Sequence, residues 1–129
     1  MAKILVIDDE QGIRNLLDTL LRRKGYDVLL AESGRKGLEL FRREHPDVIL
    51  LDLKMPEMDG IAVLEQVRRL NPDQHVIVLT GAGTPEMEQR VYALGVSEFV
   101  HKEFSLHRLG ESLTRLLKTP APATAAEAR

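Results

Sequence analysis

Apolar residues along this chain follow two alternating rhythms. Short unbroken runs recur, and each is followed by a longer stretch whose apolar residues lie three or four apart. Ile4-Leu5-Val6-Ile7 is the first run; it is β-branched at three of four positions and stops at Asp8-Asp9-Glu10. Such a run, bounded by turn signals, predicts a strand covered on both faces, as in a parallel sheet. Ile13, Leu16, Leu17, Leu20 and Leu21 then recur at helical spacing. Arg22, Arg23 and Lys24 follow where cations favour the helix dipole, and Gly25 suits the C′ position.

The rhythm repeats. Tyr26 to Leu30 predicts a second strand, and Ser33 an N-cap for a helix carrying Leu38, Leu40 and Phe41. Gly34 and Gly37 weaken that helix, and His45-Pro46 ends it. Val48 to Leu51 predicts a third strand running straight into Asp52, with Lys54, Met55 and Pro56 behind it and Asp59-Gly60 closing the turn. Ile61, Leu64, Val67 and Leu70 mark the next helix, which ends past Arg68 and Arg69 at the turn cluster Asn71-Pro72-Asp73. Val76 to Leu79 predicts a fourth strand ending at Thr80, followed by a flexible Gly81-Ala82-Gly83 loop. Thr84-Pro85 reads as N-cap and first turn of a helix with Met87, Val91 and Leu94 that stops at Gly95. Glu98 to His101 predicts a fifth strand with Lys102 directly after it, and Ser105 caps a last helix carrying Leu106, Leu109, Leu113, Leu116 and Leu117. Five strands alternating with five helices imply a doubly wound α/β fold: a five-stranded parallel sheet with right-handed crossovers and helices on both faces.

The polar residues concentrate at strand ends. Asp8 and Asp9 follow the first strand, Asp52 the third, Thr80 the fourth and Lys102 the fifth. Parallel strands share one C-terminal edge, where ligands bind in open α/β sheets, so these side chains are expected to converge. Each has an ordinary reading alone: Asp52 as a turn residue, Asp8 and Asp9 as acids favouring a helix N-terminus, Thr80 as a strand-end residue, Lys102 as a solvated charge. Their joint occurrence at strand ends points to chemistry. Carboxylates held within about 5 Å repel by roughly 3 kcal/mol per pair at an effective dielectric of ~20. A divalent cation relieves this, and an all-oxygen acidic pocket suits Mg²⁺, or Mn²⁺ in its place. A carboxylate flanked by a cation, a lysine and a hydroxyl is arranged to receive and hold a phosphoryl group.

Composition removes competing classes. The 129 residues give room for one domain with a full core. The net charge of −2 is unlike that of a nucleic-acid binder, so no direct grip on a phosphate backbone is expected. With no cysteine there is no disulfide, thiolate zinc site or cysteine nucleophile. The N-terminal apolar run is too short, and too soon met by acids, for a signal peptide or membrane span, which predicts a cytoplasmic protein. His45, His75, His101 and His107 show no metal-site spacing and read as surface or turn residues. A single glycine in Asp8-Asp9-Glu10-Gln11-Gly12 leaves nucleotide binding unsupported. Thr119 to Arg129 has two prolines and no large apolar residue, and reads as a disordered tail or the start of a linker after a domain spanning residues 1–118.

Taken together, Ile-Leu-Val-Ile-Asp8-Asp9-Glu10, Val-Ile-Leu-Leu-Asp52-Leu-Lys-Met-Pro56-Glu-Met-Asp59-Gly60, Val-Ile-Val-Leu-Thr80-Gly and Phe99-Val-His-Lys102 resemble the receiver domain of two-component response regulators, the chemotaxis-type single-domain receivers included. The resemblance covers about residues 3 to 118. It implies a flavodoxin-like strand order 2-1-3-4-5, with Asp52 as phosphoacceptor. It implies Mg²⁺ held by Asp8, Asp9, Asp52 and the backbone carbonyl of Lys54. Thr80 and Lys102 would contact the phosphoryl group, and Thr80 and Phe99 would act as the switch that alters the face of the fourth helix, fifth strand and fifth helix. The implied donor is a histidine kinase or histidine phosphotransfer protein; the implied output is an unidentified domain or protein, with a homodimer on phosphorylation compatible with the family. Chemistry would be limited to self-catalysed phosphorylation and hydrolysis.

Two positions depart from the family pattern: Glu103 stands where proline is usual, and Phe99 where tyrosine is frequent. Lys54 and Ala82, two residues beyond Asp52 and Thr80, occupy positions that tune phosphoryl lifetime in the family. Three other readings compete. A phosphorylation-independent pseudo-receiver is supported by Glu103 alone. A Mg²⁺-dependent phosphotransfer enzyme would need a substrate cap, for which no insertion is long enough. A flavin domain shares the topology, but an acidic edge repels the cofactor phosphate.

Overall fold

The computed structural model describes residues 2–55, 58–81, 84–101 and 105–118. In chain order these form β1 (Lys3–Ile7), α1 (Gln11–Arg23), β2 (Asp27–Ala31), α2 (Gly34–Glu44), β3 (Val48–Leu51), α3 (Gly60–Leu70), β4 (His75–Thr80), α4 (Pro85–Leu94), β5 (Glu98–His101) and α5 (Ser105–Lys118). All neighbouring strands pair in parallel, in the order β2-β1-β3-β4-β5. The tail at residues 119–129 and part of the Gly81-Ala82-Gly83 loop lie outside the described residues.

The strands read as continuous apolar runs because both faces of the sheet are covered. Side chains alternate across a strand, so each run divides between two cores. Leu5, Ile7, Ile49, Leu51, Val76, Val78 and Phe99 pack with Leu38, Phe41, Val63, Leu64, Val67 and Val91 of α2, α3 and α4. Ile4, Val6, Val48, Leu50, Ile77, Leu79 and Val100 pack with Leu17 and Leu21 of α1 and Leu109 and Leu113 of α5. Right-handed crossovers give this division. The step from β1 to β2 runs one way along the sheet and the steps to β3, β4 and β5 run the other, so α1 is set opposite α2, α3 and α4.

Local chemistry sets the boundaries. Ser33 accepts from Lys36 N at 3.2 Å and Thr84 from Met87 N at 3.2 Å, which makes both the expected N-caps. Asp59 caps α3 through Ala62 N at 2.9 Å. Gly25, at φ 92°, donates to Arg22 O, and Tyr26 N donates to Leu21 O at 3.2 Å. These two bonds form a Schellman motif, which holds Tyr26 in the helix ending so that β2 begins at Asp27. Ser105 is the first residue of α5 rather than a cap before it. Leu16 and Leu70, expected on apolar stripes, are exposed at the stripe edge and the helix end.

The glycines that weaken α2 in isolation bring it close to its neighbours. A Cβ on Gly37 would overlap Ile7, and one on Gly34 would come 2.7 Å from Val63 Cγ2. Gly60 does the same at the start of α3, where a Cβ would overlap Asp52 O and Leu53 Cα. Gly60→Ala is therefore expected to cost about 2 kcal/mol by overpacking against backbone. Gly12→Ala, in open space on α1, is expected to gain about 0.5 kcal/mol. Urea unfolding of the two variants against the wild type checks both signs.

Candidate functional site

The ladder continues one residue past β1 and β3. Asp8 N donates to Ala31 O at 3.0 Å, and Asp52 N donates to Ile7 O at 2.9 Å. Ile7 pairs with Leu51, so the two aspartates sit on one rung at the C-terminal edge. Both are nearly buried, at 2% and 4% exposure. Asp8 Oδ1 accepts from Glu10 N at 2.9 Å, and the Arg14 guanidinium donates to Asp8 O at 2.7 Å, which holds the turn into α1. Asp52 Oδ1 accepts from Lys54 N at 3.3 Å. Behind Asp52, Gly60 N donates to Leu53 O at 2.9 Å, so α3 starts directly on the backbone of the β3 end.

Carboxylate oxygens of Asp8, Glu10 and Asp52 all lie within 4.8 Å of one another. Asp9 is exposed and stands outside this trio. Glu10 is the member that pattern reasoning passed over. It occupies the N-cap position of α1 but makes no side-chain capping bond. The one sequence signal for it was its place in the Asp-Asp-Glu run, two residues after Asp8. Three hard oxygen donors, two of them buried, fit a Mg²⁺ or Mn²⁺ ion and not a soft metal.

Thr80 is fully buried at the end of β4 and pairs with His101. Phe99 is buried on β5 opposite Val78, two residues before Thr80, so alternation sets Thr80 and Phe99 on the same face of adjacent strands. The Phe99 ring lies 6.3 Å from that of Tyr92 on α4, tilted by 33°. Lys54 is exposed beside Asp52. Lys102, Glu103 and Ala82 lie outside the described residues, as do the side chains of His101 and His107; His45 and His75 are exposed. No helix among the described residues is long and apolar enough to cross a membrane.

A doubly wound parallel sheet with a trio of carboxylates at its C-terminal edge defines a flavodoxin-like domain with hard oxygen donors gathered at that edge. A family model for the response regulator receiver domain matches residues 4–114. The chain belongs to that family, whose members are signalling domains of two-component systems. It is 34% identical over 115 residues to sporulation initiation phosphotransferase F of Bacillus subtilis, covering 89% of this chain and 93% of that one. It is 39% identical over 116 residues to the probable transcriptional regulator ycf27 of Porphyridium aerugineum, covering 90% of this chain and 48% of that one. The chain thus spans about half the length of that regulator, and 25% of the regulatory protein AtoC of Escherichia coli. Among solved structures, the chemotaxis protein CheY4 of Vibrio cholerae superposes with a TM-score of 0.84 at 32% identity, covering 90% and 98% of the two chains. The response regulator TrrA of Thermotoga maritima, solved in complex with Mg(2+)-BeF, superposes with a TM-score of 0.82 at 34% identity, covering 90% and 99%. Phosphorylation on aspartate by histidine kinases, with Mg²⁺ in the acidic pocket, is the general function of receiver domains.

Mg²⁺ titration followed by amide chemical shifts is expected to show saturable binding at the β1 and β3 ends. Asp8→Asn and Asp52→Asn are each expected to weaken it at least about tenfold, and the exposed Glu10→Gln by less.

Proposed function

We propose that this chain is a working receiver whose phosphoacceptor is Asp52. The observation that carries the proposal is the convergence of Asp8, Glu10 and Asp52 within 4.8 Å at a sheet edge that also ends in buried Thr80. In this reading Asp8, with Asp9 or Glu10, Asp52 and the Lys54 carbonyl hold the cation. When bound, Mg²⁺ neutralises charge on the carboxylates and on the phosphoryl oxygens. An Asp52 oxygen attacks the phosphorus of a phosphohistidine on the donor protein. The new O–P bond gives an acyl phosphate, the P–N bond breaks, and the departing imidazole takes a proton from solvent. Thr80 donates its hydroxyl hydrogen to a phosphoryl oxygen, and Lys102 pairs with another. Water later attacks phosphorus, releasing inorganic phosphate and restoring Asp52.

The phosphoryl group adds about two negative charges beside Asp52. Thr80 moves toward it, Phe99 fills the space that Thr80 leaves, and the face of α4, β5 and α5 shifts its population. The shared face of Thr80 and Phe99 supports this path. Residues 1–118 act as the receiver, and residues 119–129 as a tail or the start of a linker. The donor is a histidine kinase or phosphotransfer protein in the cytoplasm. The match to nearly all of a sporulation phosphotransferase supports a separate output protein, and the partial match to transcriptional regulators supports an appended output domain.

Intact mass after incubation with acetyl phosphate tests the assignment. The wild type is expected to gain one phosphoryl group only with Mg²⁺, and Asp52→Asn none. Thr80→Ala is expected to load but to lose most of the amide shift changes on the α4–β5–α5 face. Loading of Asp52→Asn, or none of the wild type with either acetyl phosphate or a kinase, would contradict the proposal.

A further inference from the structure

Helix α4 differs from its neighbours in how its ends are compensated. The last turns of α1, α2 and α3 carry Arg22 and Arg23, Arg42 and Arg43, and Arg68 and Arg69. The last turn of α4 has no basic residue, while its first turn holds Glu86 and Glu88. Those acids suit the positive end of the helix dipole, but the carbonyls at the other end need donors from elsewhere. Arg68 of α3 supplies them. Its Nε donates to Leu94 O at 2.8 Å, one terminal nitrogen donates to Gly95 O, and the other donates to Asn71 O at 3.3 Å.

The contact is built into the backbone. Gly95 ends α4 in the left-handed region at φ 90° and ψ 60°, where a β-carbon is strained. A Cβ there would lie 3.4 Å from Arg68 Nε. Burial lowers the Arg68 pKa from its ordinary value, with the Asp73 charge acting in the other direction. Three carbonyl acceptors replace the water lost there. The remainder of α4 packs on the core through Val91 and half-buried Met87. Val91 is its one buried residue, against five in α2 and four in α3, and the Arg90–Glu65 pair to α3 is exposed on both sides. Past Gly95 the chain enters β5, which carries Phe99.

We infer that Arg68 is a positioning residue that pins the C-terminal end of α4 and the entry to β5 onto α3, so that rearrangement driven from Asp52 pivots about Gly95 and is largest at the Thr84 end. This deepens, and rests on, the receiver function proposed above. Arg68 belongs to α3 and reaches the acidic edge only through that helix, so its loss changes the motion and leaves the loading of Asp52 intact.

Two measurements on the full chain test the inference. In the first, amide hydrogen exchange without any phosphoryl analogue compares wild type, Arg68→Gln, Arg68→Lys and Arg69→Gln. Exchange at Tyr92 to Gly95 is expected to rise about tenfold in Arg68→Gln, less in Arg68→Lys, and not at all in Arg69→Gln. Unchanged exchange in Arg68→Gln, or an equal rise in Arg69→Gln, overturns the clamp. In the second, amide shifts are recorded with Mg²⁺ and beryllofluoride. Changes in the wild type are expected at Thr84 to Met87 and small at Leu94 to Val96, spreading into Leu94 to Val96 in Arg68→Gln. Wild-type changes as large at Gly95 as at Thr84 overturn the pivot. A wild type that takes up no beryllofluoride would overturn the receiver function and the pivot with it, and the exchange comparison still decides whether Arg68 holds the end of α4.

Discussion

Parallel pairing delivers whatever follows each strand to one edge, and the acidic site depends on that constraint. Asp8 and Asp52 are brought to one rung by the same backbone bonds that end β1 and β3. Glu10 completes a trio whose oxygens lie within 4.8 Å. Such charges repel by roughly 3 kcal/mol per pair at an effective dielectric of ~20, less where exposed Glu10 is screened by water. The sheet beneath tolerates this because it is dry on both faces: Leu5, Ile7, Ile49 and Ile77 are fully buried. A rigid apolar sheet holds like charges at a separation that they would not choose, which leaves a site that gains from a cation.

Helix α3 joins this edge to the remainder of the molecule. Its first residue, Gly60, rests on the backbone of Asp52 and Leu53, and its last turn holds the end of α4 through Arg68. One short helix therefore touches both the backbone of Asp52 and the helix next to Phe99. Gly60 makes the first contact possible by lacking a side chain: a β-carbon there would overlap the backbone of Asp52 and Leu53. Gly95 serves the second by its left-handed backbone at φ 90°, which a β-carbon would strain.

Much of this was legible from the chain alone, for identifiable reasons. The five strands announced themselves because burial on both faces leaves no polar position to interrupt Ile4–Ile7 or Val48–Leu51. Ser33 and Thr84 were legible as caps because capping is local, set by a side chain and an amide three residues on. Asp8, Asp52 and Thr80 were legible as a group because parallel topology alone makes strand ends converge. Glu10 was not, since its approach to Asp52 depends on the turn that Asp8 makes with the Glu10 amide, a geometry that spacing does not encode. The role of Gly37 was hidden too: as a sequence feature it weakens a helix, and only the approach of Ile7 explains it. Arg68 read as an ordinary last-turn cation, and its two partners at the end of α4 lie 26 and 27 residues away.

The central claim is that the fold concentrates repulsive negative charge at Asp52 and that a divalent cation relieves it. Thermal unfolding of the wild type and Asp52→Asn, with a chelator and then with Mg²⁺, tests this most directly. Asparagine keeps the size and, through its Oδ1, the acceptor that Lys54 N uses; it removes the charge and turns the other carboxylate oxygen into an NH2 donor. The account predicts that without metal Asp52→Asn melts about 4–8 °C above the wild type, and that Mg²⁺ raises the wild type while barely moving the variant. An Asp52→Asn variant that melts lower without metal, or that gains as much from Mg²⁺ as the wild type, would contradict it.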